Sequence, residues 1–499
     1  MPGLQDRFYW GTLAILAIVY AILAAMLPPL DDELYYWCWS KKPQLSYFDH
    51  APLSAYMIAA STAVFGDSVF ALRLPALLSS LVVVGVLGAW MRPRWLWPYV
   101  ISTPLFTFGA VLITPDTPLL LFWTLYLAWL IDVHKRLKPA EGCDPGTISL
   151  GRWALGGALL GLGALGKYTM ALAVPAAFLT FVVALPRDPL RWLPGYLFHG
   201  FVSFLVFLPV LIFNIEQEFV PIRFQWDHAN VENGGGVKGL LEFAAIQVVL
   251  FGVLPIAMLP WTWWNIRRLI ADPKLRVCSL FFAVPMTFFL YKACRGPLEG
   301  NWALAAYLGF WPVAADWHGR ISTERKRRIV RIVGLGVPTG LVILMAIHML
   351  HPLPLLKPRQ DRITRLGARL EAAKCGASEA KRLAPGLPIY TPTYQWAAMM
   401  NFAGAECFQM REISRPSHFT LPGTVPVSGV EEILVWNEAP VPTHLLPDYE
   451  LIEMLGHYPI VVRGEWVSCL TLFRYKLATH DGGSCPVLGL SSYGYAAAP

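Results

Sequence analysis

The stretch PPLDDELYYWCWSKKPQLSYFDHAPLSAYMIAA, residues 28–60, decides how this chain is read. It follows an apolar run at about 9–27, long enough to cross a bilayer as a helix. It gathers four carboxylates, two lysines, a histidine and seven aromatic rings. Pro28 and Pro29 stop the preceding helix. Asp31, Asp32 and Glu33 open the segment beyond, and rings such as those of LYYWCWS favour a membrane interface. The pattern is that of a spanning helix that emerges into a built loop.

The rest of the 499 residues agrees. The chain is 56% hydrophobic and only 15% charged, against about 25% for a soluble domain. Apolar runs at about 9–27, 70–91, 95–113, 118–133, 153–166, 168–185, 196–214, 239–264, 277–291, 302–317 and 332–350 make about eleven candidate spans. The first run exceeds the apolar core of a typical signal peptide, and further spans follow it, so it is expected to be a span.

Lys and Arg placement sets the orientation. With the N-terminus and Arg7 inside, the inner loops hold Arg92, Arg94, His134, Lys135, Arg136, Lys138, Arg152, Arg187, Arg191, Arg267, Arg268, Lys274 and Arg276. The run Arg320, Arg325, Lys326, Arg327, Arg328 and Arg331 joins them. The opposite loops hold fewer: Lys41, Lys42, Arg73, Lys167, Arg223, Lys238, Lys292 and Arg295. This is the positive-inside pattern, and it accounts for the formal +7 without nucleic acid. Residues 28–68, 114–117, 166–168, 215–238, 292–301 and those after 350 then face outward, which in a bacterium is the periplasm.

After about residue 350 the apolar runs shorten. EEILVW and YPIVVRG read as strands, and RQDRITRLGARLEAAK as an amphipathic helix. The expected fold is therefore a polytopic α-helical membrane protein of about eleven transmembrane helices. It has juxtamembrane helices in the first outward loop and a small α+β domain at the C-terminus, with domains 1–350 and 351–499. Cys375, Cys407, Cys469 and Cys485 lie in the second domain, where export would permit two disulfides or leave buried thiols.

The outward loops carry the chemistry. YFDHAPL places Asp49 beside His50. TPDTP sets Asp116 between prolines in a tight turn, GLGALGKYT brings Lys167 and Tyr168, and KACRGPLEGNW brings Lys292, Arg295, Glu299, Asn301 and Trp302. Carboxylates suit a general base or a hard divalent cation, so Asp49 and Asp116 are candidate ligands for one. No His/Cys cluster has zinc spacing. Cations suit a phosphate, and rings suit a sugar face or a lipid chain. Together they describe a site for a lipid-linked phosphosugar at the membrane surface. The glycines of GALLGLGALG lie in an apolar run and indicate close helix packing rather than a nucleotide loop.

DDELYYWCWS…LSYFDHAPL, TPDTPLLLFW and GLGALGKYT together resemble the integral-membrane C-type glycosyltransferases. The similar branch is the bacterial one near the protein O-mannosyltransferases and the lipid A aminoarabinose and galacturonic acid transferases. The resemblance spans about residues 8–350; the tail matches no family by its motifs. It implies inverting transfer of a sugar from a polyprenyl-phosphate donor to a periplasmic envelope acceptor such as lipid A or lipopolysaccharide core. The essential carboxylate that opens the family's first outward loop falls on Asp32, with Glu33 after it; Asp31 is an extra acid that shifts the alignment by one residue. The family's second acid falls on Asp116. Its acid–base pair falls on Asp49 and His50, where many relatives carry Glu-Lys, the acid helping to hold a metal and the lysine meeting the donor phosphate. His50 departs from that pattern, which makes Lys167, Lys292 and Arg295 candidates for the phosphate, with Tyr168 and Glu299 beside them. Protein O-mannosylation on the same fold, a polytopic lipid or sugar transporter and a non-catalytic scaffold are the competing expectations.

Overall fold

The computed structural model describes residues 4–91, 96–137, 147–186, 188–229, 235–411, 413–421 and 430–478. Arg92, Arg94, Lys138, Arg187 and Cys485 lie outside them. The chain divides into two compact units, Met1–Pro28 with Trp39–Leu353, and Pro29–Cys38 with Pro354–Pro499. The acidic segment of the first loop thus clusters with the C-terminal part of the chain, an arrangement that a division at 350 does not contain.

The first unit is helical. Among the described residues six helices are long and apolar enough to span: Arg7–Met26, Val69–Met91, Asp116–Leu137, Leu193–Glu216, Pro273–Ala293 and Glu324–Met349. A seventh span arises if Gly236–Phe251 and Leu254–Trp264, bent by 109°, count as one. The expected eleven are thus not all full-length helices. The run 95–113 breaks into Leu96–Ser102, Pro104–Thr107 and a 3-10 turn, because Pro104 cannot donate the hydrogen bond that would continue the first piece. Leu150–Gly166, Tyr168–Ala184 and Ala306–Gly319 form but are short. Gly252 makes the 109° elbow with φ +79°, a conformation that strains other residues.

Close packing sets the helix register. Leu150–Gly166 lies so near Leu193–Glu216 that a Cβ on Gly157 would meet the His199 carbonyl oxygen at 2.3 Å. The glycine-rich run is a packing seam. Arg73, fully buried, donates to the carbonyls of Leu27 at 2.7 Å and Pro28 at 3.0 Å, so it caps the first helix where orphan carbonyls would otherwise be buried.

The second unit is α+β. Five strands, β1 (Ile389–Thr391), β2 (Cys407–Gln409), β3 (Glu432–Asn437), β4 (Tyr449–Val462) and β5 (Glu465–Leu477), lie in the order β2-β1-β3-β5-β4. β1 pairs parallel to β2 and β3; β5 pairs antiparallel to β3 and β4. Helix Tyr394–Phe402 makes the crossover from β1 to β2. Arg463 and Gly464, both at positive φ, turn β4 into β5. Helix Arg362–Leu383 packs on the sheet so tightly that a Cβ on Gly376 would strike the Trp436 ring at 2.3 Å.

Cys375, Cys407 and Cys469 form no disulfide. Cys407 on β2 and Cys469 on β5 stand three strand spacings apart, about 14 Å. That is well beyond the roughly 7 Å Cα separation a disulfide tolerates.

Candidate active site

In the first unit the site is built at the start of helix Asp116–Leu137. Thr114 and Thr117 close the turn before it: the Thr114 N–H donates to Thr117 Oγ1 at 3.2 Å and the Asp116 N–H to Thr114 Oγ1 at 3.3 Å. The carboxylate, set in the first turn of a helix, gains from the positive end of the dipole. Gly166 ends the neighbouring helix, and a Cβ there would stand 2.9 Å from the Leu119 nitrogen. Because that glycine lets the two helices touch, the next residue, Lys167, reaches Asp116. Its Nζ donates to Oδ1 at 2.8 Å and to Oδ2 at 3.0 Å, with both side chains about nine-tenths buried. Asn301 Nδ2 donates to Oδ2 at 3.0 Å.

Asn301 is itself held. Tyr307 donates to Gln247 Oε1 at 2.7 Å, and Gln247 Nε2 donates to the Gly300 carbonyl at 2.9 Å. Gln247 comes from the helix just before the 109° elbow, so the bend and the carboxylate share one chain of hydrogen bonds. A cavity of about 120 Å³ opens beside this centre. Asp116, Asn301, Thr114 and Ser79 line its polar side, and Val83 and Phe106 its apolar side.

The Asp49–His50 segment joins the same neighbourhood. Ala51 is buried with Leu165 and Val210, and Tyr168 packs against this cluster. The Ser54 hydroxyl donates to the Thr114 carbonyl at 3.1 Å. Asp49 is buried, and its carbonyl accepts from Gln225 at 2.6 Å. His50 is half-buried. Lys292 lies in the last turn of its helix, Arg295 is exposed beyond it, and Glu299 accepts from Trp302 Nε1 at 3.3 Å. Of the expected residues, the described contacts bring Asp116 and Lys167 together directly. Tyr168 packs against the cluster that buries Ala51, the residue next to His50 in sequence.

Asp116 as arranged does not fit a divalent cation. An ammonium and an amide N–H already hold both of its oxygens, and among the described residues no three His, Cys, Asp or Glu side chains form a metal-holding group.

In the second unit the three acids of helix Asp31–Ser40 take separate roles. Glu33, fully buried, accepts from the Leu30 N–H at 3.0 Å and so caps its own helix. Asp31 accepts from Arg369 at 3.2 Å, whose guanidinium also lies 4.6 Å over the Trp396 ring. Asp32 Oδ1 accepts from the Tyr394 hydroxyl at 2.9 Å. Burial, then the charge of Asp32, push the Tyr394 phenol well above its ordinary pKa and keep it a donor. The Tyr35 hydroxyl accepts from the His418 N–H at 2.6 Å. The one-residue ambiguity among the acids thus gains a physical content: Asp31 accepts from Arg369, Asp32 from the Tyr394 phenol, and Glu33 from the start of its own helix. Tyr394, Arg369 and Gln247 carry no motif in the sequence and emerge only with the fold; Asn301 is visible in the sequence, but not as a partner of Asp116.

Residues 49–213 match the family model described as dolichyl-phosphate-mannose-protein mannosyltransferase, a segment that holds Asp49, His50, Asp116, Lys167 and Tyr168. The lipid A galacturonosyltransferase RgtD of Rhizobium johnstonii is 24% identical over 377 residues, 72% of this chain and 73% of that protein. The structure of ArnT from Cupriavidus metallidurans bound to undecaprenyl phosphate superposes with a TM-score of 0.65 at 14% identity, covering 95% of this chain and 99% of that one. Its apo state gives 0.64, covering 93% and 97%. The chain therefore resembles the C-type integral-membrane glycosyltransferases, by sequence in the segment 49–213 and by fold over nearly its whole length.

Proposed function

We propose that the protein is an inverting glycosyltransferase that moves a sugar from a polyprenyl-phosphate carrier to an envelope glycolipid of the lipid A class. The observation that carries this reading is the similarity to a lipid A galacturonosyltransferase across about three quarters of both chains. The undecaprenyl phosphate held by ArnT, a protein of the same fold, supports the choice of carrier. Orientation follows from the Asp116 helix, which has the acid in its first turn and His134, Lys135 and Arg136 in its last. With the basic end inside, the site faces the periplasm of a bacterial inner membrane.

In this mechanism Asp32 takes the proton of the acceptor hydroxyl as that oxygen attacks the anomeric carbon. The bond from that carbon to the phosphate oxygen breaks, and polyprenyl phosphate leaves with the bonding electrons. Tyr394 fixes the carboxylate oxygen that does not take the proton. Charge grows on the departing phosphate, where cations lower the barrier. His50, Lys292 and Arg295 are the proposed phosphate partners, and the Asp116–Lys167–Asn301 centre holds the pocket wall in shape. Asp49 and Glu299 are proposed to hold sugar hydroxyls, with Tyr168 stacking beside them.

The test is transfer by purified protein from a polyprenyl-phosphate sugar to lipid A in detergent, where no transport is possible. Asp32→Asn should abolish product while the protein still folds; full activity in that variant removes Asp32 from the mechanism. Protein O-mannosylation is the second reading, favoured by the family model's description. Labelled protein in place of labelled lipid A would decide for it.

A further inference from the structure

The second unit holds a polar pocket that the transfer chemistry does not use. It measures about 450 Å³ and is lined by Arg359, Arg365, Glu438, Val467, Ser468 and Cys469. Arg359 lies ten residues past Met349, the last residue of the final apolar helix. The pocket stands at the N-terminus of the 22-residue helix Arg362–Leu383.

The charge there is costly for a purely structural element. Arg362 and Arg365 occupy the first turn, at the positive end of the helix dipole, where acids are favoured and bases are not. The N-cap Asp361 is fully buried; its Oδ1 accepts from the Thr364 N–H at 3.2 Å, and its other oxygen lies 4.0 Å from Arg463. Arg365 Nη1 donates to the Arg359 carbonyl at 2.5 Å, which bends the chain and sets both arginines on one wall. Arg365 Nε is shielded from solvent and has no hydrogen-bond partner. Arg359 and Arg365 thus share the pocket wall with Glu438, and Arg463 stands by the buried Asp361 beside it.

An anion answers this arrangement. Guanidinium groups bind phosphate in bidentate fashion, and a helix N-terminus adds N–H donors and dipole. A bare phosphate, however, gains nothing from Glu438 in the wall. A carboxylate beside a hydroxyl such as Ser468 accepts and shares hydrogen bonds with sugar hydroxyls. The volume holds one phosphosugar, not an extended polymer.

We propose that this pocket binds the phosphorylated sugar of the acceptor glycolipid. The assignment rests on the transferase reading and names where that enzyme holds its acceptor. Arginines take the phosphate, and Glu438 and Ser468 take the sugar hydroxyls.

Cys469, half-exposed in the lining, reports on occupancy in the full-length protein in detergent. Its alkylation by N-ethylmaleimide, followed by peptide mass spectrometry, should slow about fivefold with glucosamine 1-phosphate. Inorganic phosphate should protect less, and glucosamine not at all. Arg359→Gln, at an exposed position, should remove the protection. Glu438→Gln should reduce protection by the phosphosugar to that given by phosphate. In transfer assays Arg359→Gln should raise the acceptor KM about tenfold and leave kcat and the donor KM unchanged. Equal protection by phosphate and phosphosugar, or unchanged protection and acceptor KM in Arg359→Gln, overturns the assignment. If wild-type protein transfers no sugar yet glucosamine 1-phosphate still protects Cys469 through Arg359, the pocket stands and the transferase reading fails.

Discussion

The Asp116–Lys167 pair makes a prediction that a double-mutant cycle can decide. Both side chains are about nine-tenths buried, and Nζ contacts both carboxylate oxygens within 3.0 Å. Asp116→Asn leaves an ammonium facing an amide. Lys167→Met leaves a carboxylate with the Asn301 amide alone. Breaking a buried pair from either side strands a charge and costs about 3–5 kcal/mol. Removing both charges strands neither, so the double variant should lose no more than either single one. The coupling is then about 3 kcal/mol, at the upper end for residues in contact. Unfolding in mixed micelles of increasing denaturing detergent, followed by tryptophan fluorescence, reads the four corners of the cycle. Losses that simply add, with coupling below about 0.5 kcal/mol, would refute the argument that the pair is a desolvated unit. Activity in the double variant carries a separate message: recovery marks the pair as scaffold, and continued loss shows that one member meets substrate.

Other outcomes follow from the same geometry. Tyr394→Phe removes a hydrogen bond to the charged form of Asp32. The carboxylate is then held less firmly, and kcat should fall about tenfold with little change in KM; an unchanged kcat would separate Tyr394 from the role of Asp32. Burial holds the His418 imidazole down to about 4 from an ordinary 6.5. The neutral ring therefore contributes stability that is full above 6.5 and is lost as pH falls toward 4. Thermal transitions of the C-terminal unit should drop across that window, and His418→Gln should flatten the drop. Gly166→Val forces a side chain against the Leu119 backbone and should cost about 1–3 kcal/mol with loss of activity; a neutral effect would mean that the helices part freely. EDTA should leave the thermal transition unchanged if ammonium and amide satisfy Asp116; a fall reversed by Mg²⁺ would place a cation there.

Much of the membrane unit was legible because apolar runs of spanning length are a strong signal. Where an apolar run does not become one long helix, proline and glycine are responsible. Pro104 breaks one run, and Gly252 folds another back on itself, so hydropathy persists while the helix does not. Asp116 and Lys167 were legible as loop-edge charges, yet their mutual bond across 51 residues was not, since it depends on the helix contact that Gly166 allows. Tyr394, Arg369 and His418 were invisible for a different reason. Each meets the acidic helix across more than 330 residues, and no local period encodes such a pairing. Of the two outcomes open for the described cysteines, Cys407 and Cys469 stay unpaired, at a separation that only strand order reveals.

That long-range pairing bears on how the protein is made. Residues 29–38 leave the ribosome early, yet Glu33 and Tyr35 reach their buried state only within the unit formed by residues that come more than three hundred positions later. Until synthesis is nearly complete, this short helix waits without its partners, exposed to chaperones and proteases. A nonsense mutation near residue 354 would therefore remove more than an appendage: it would orphan the segment that bears Asp32. A C-terminal fragment expressed alone would lack ten residues of its own core.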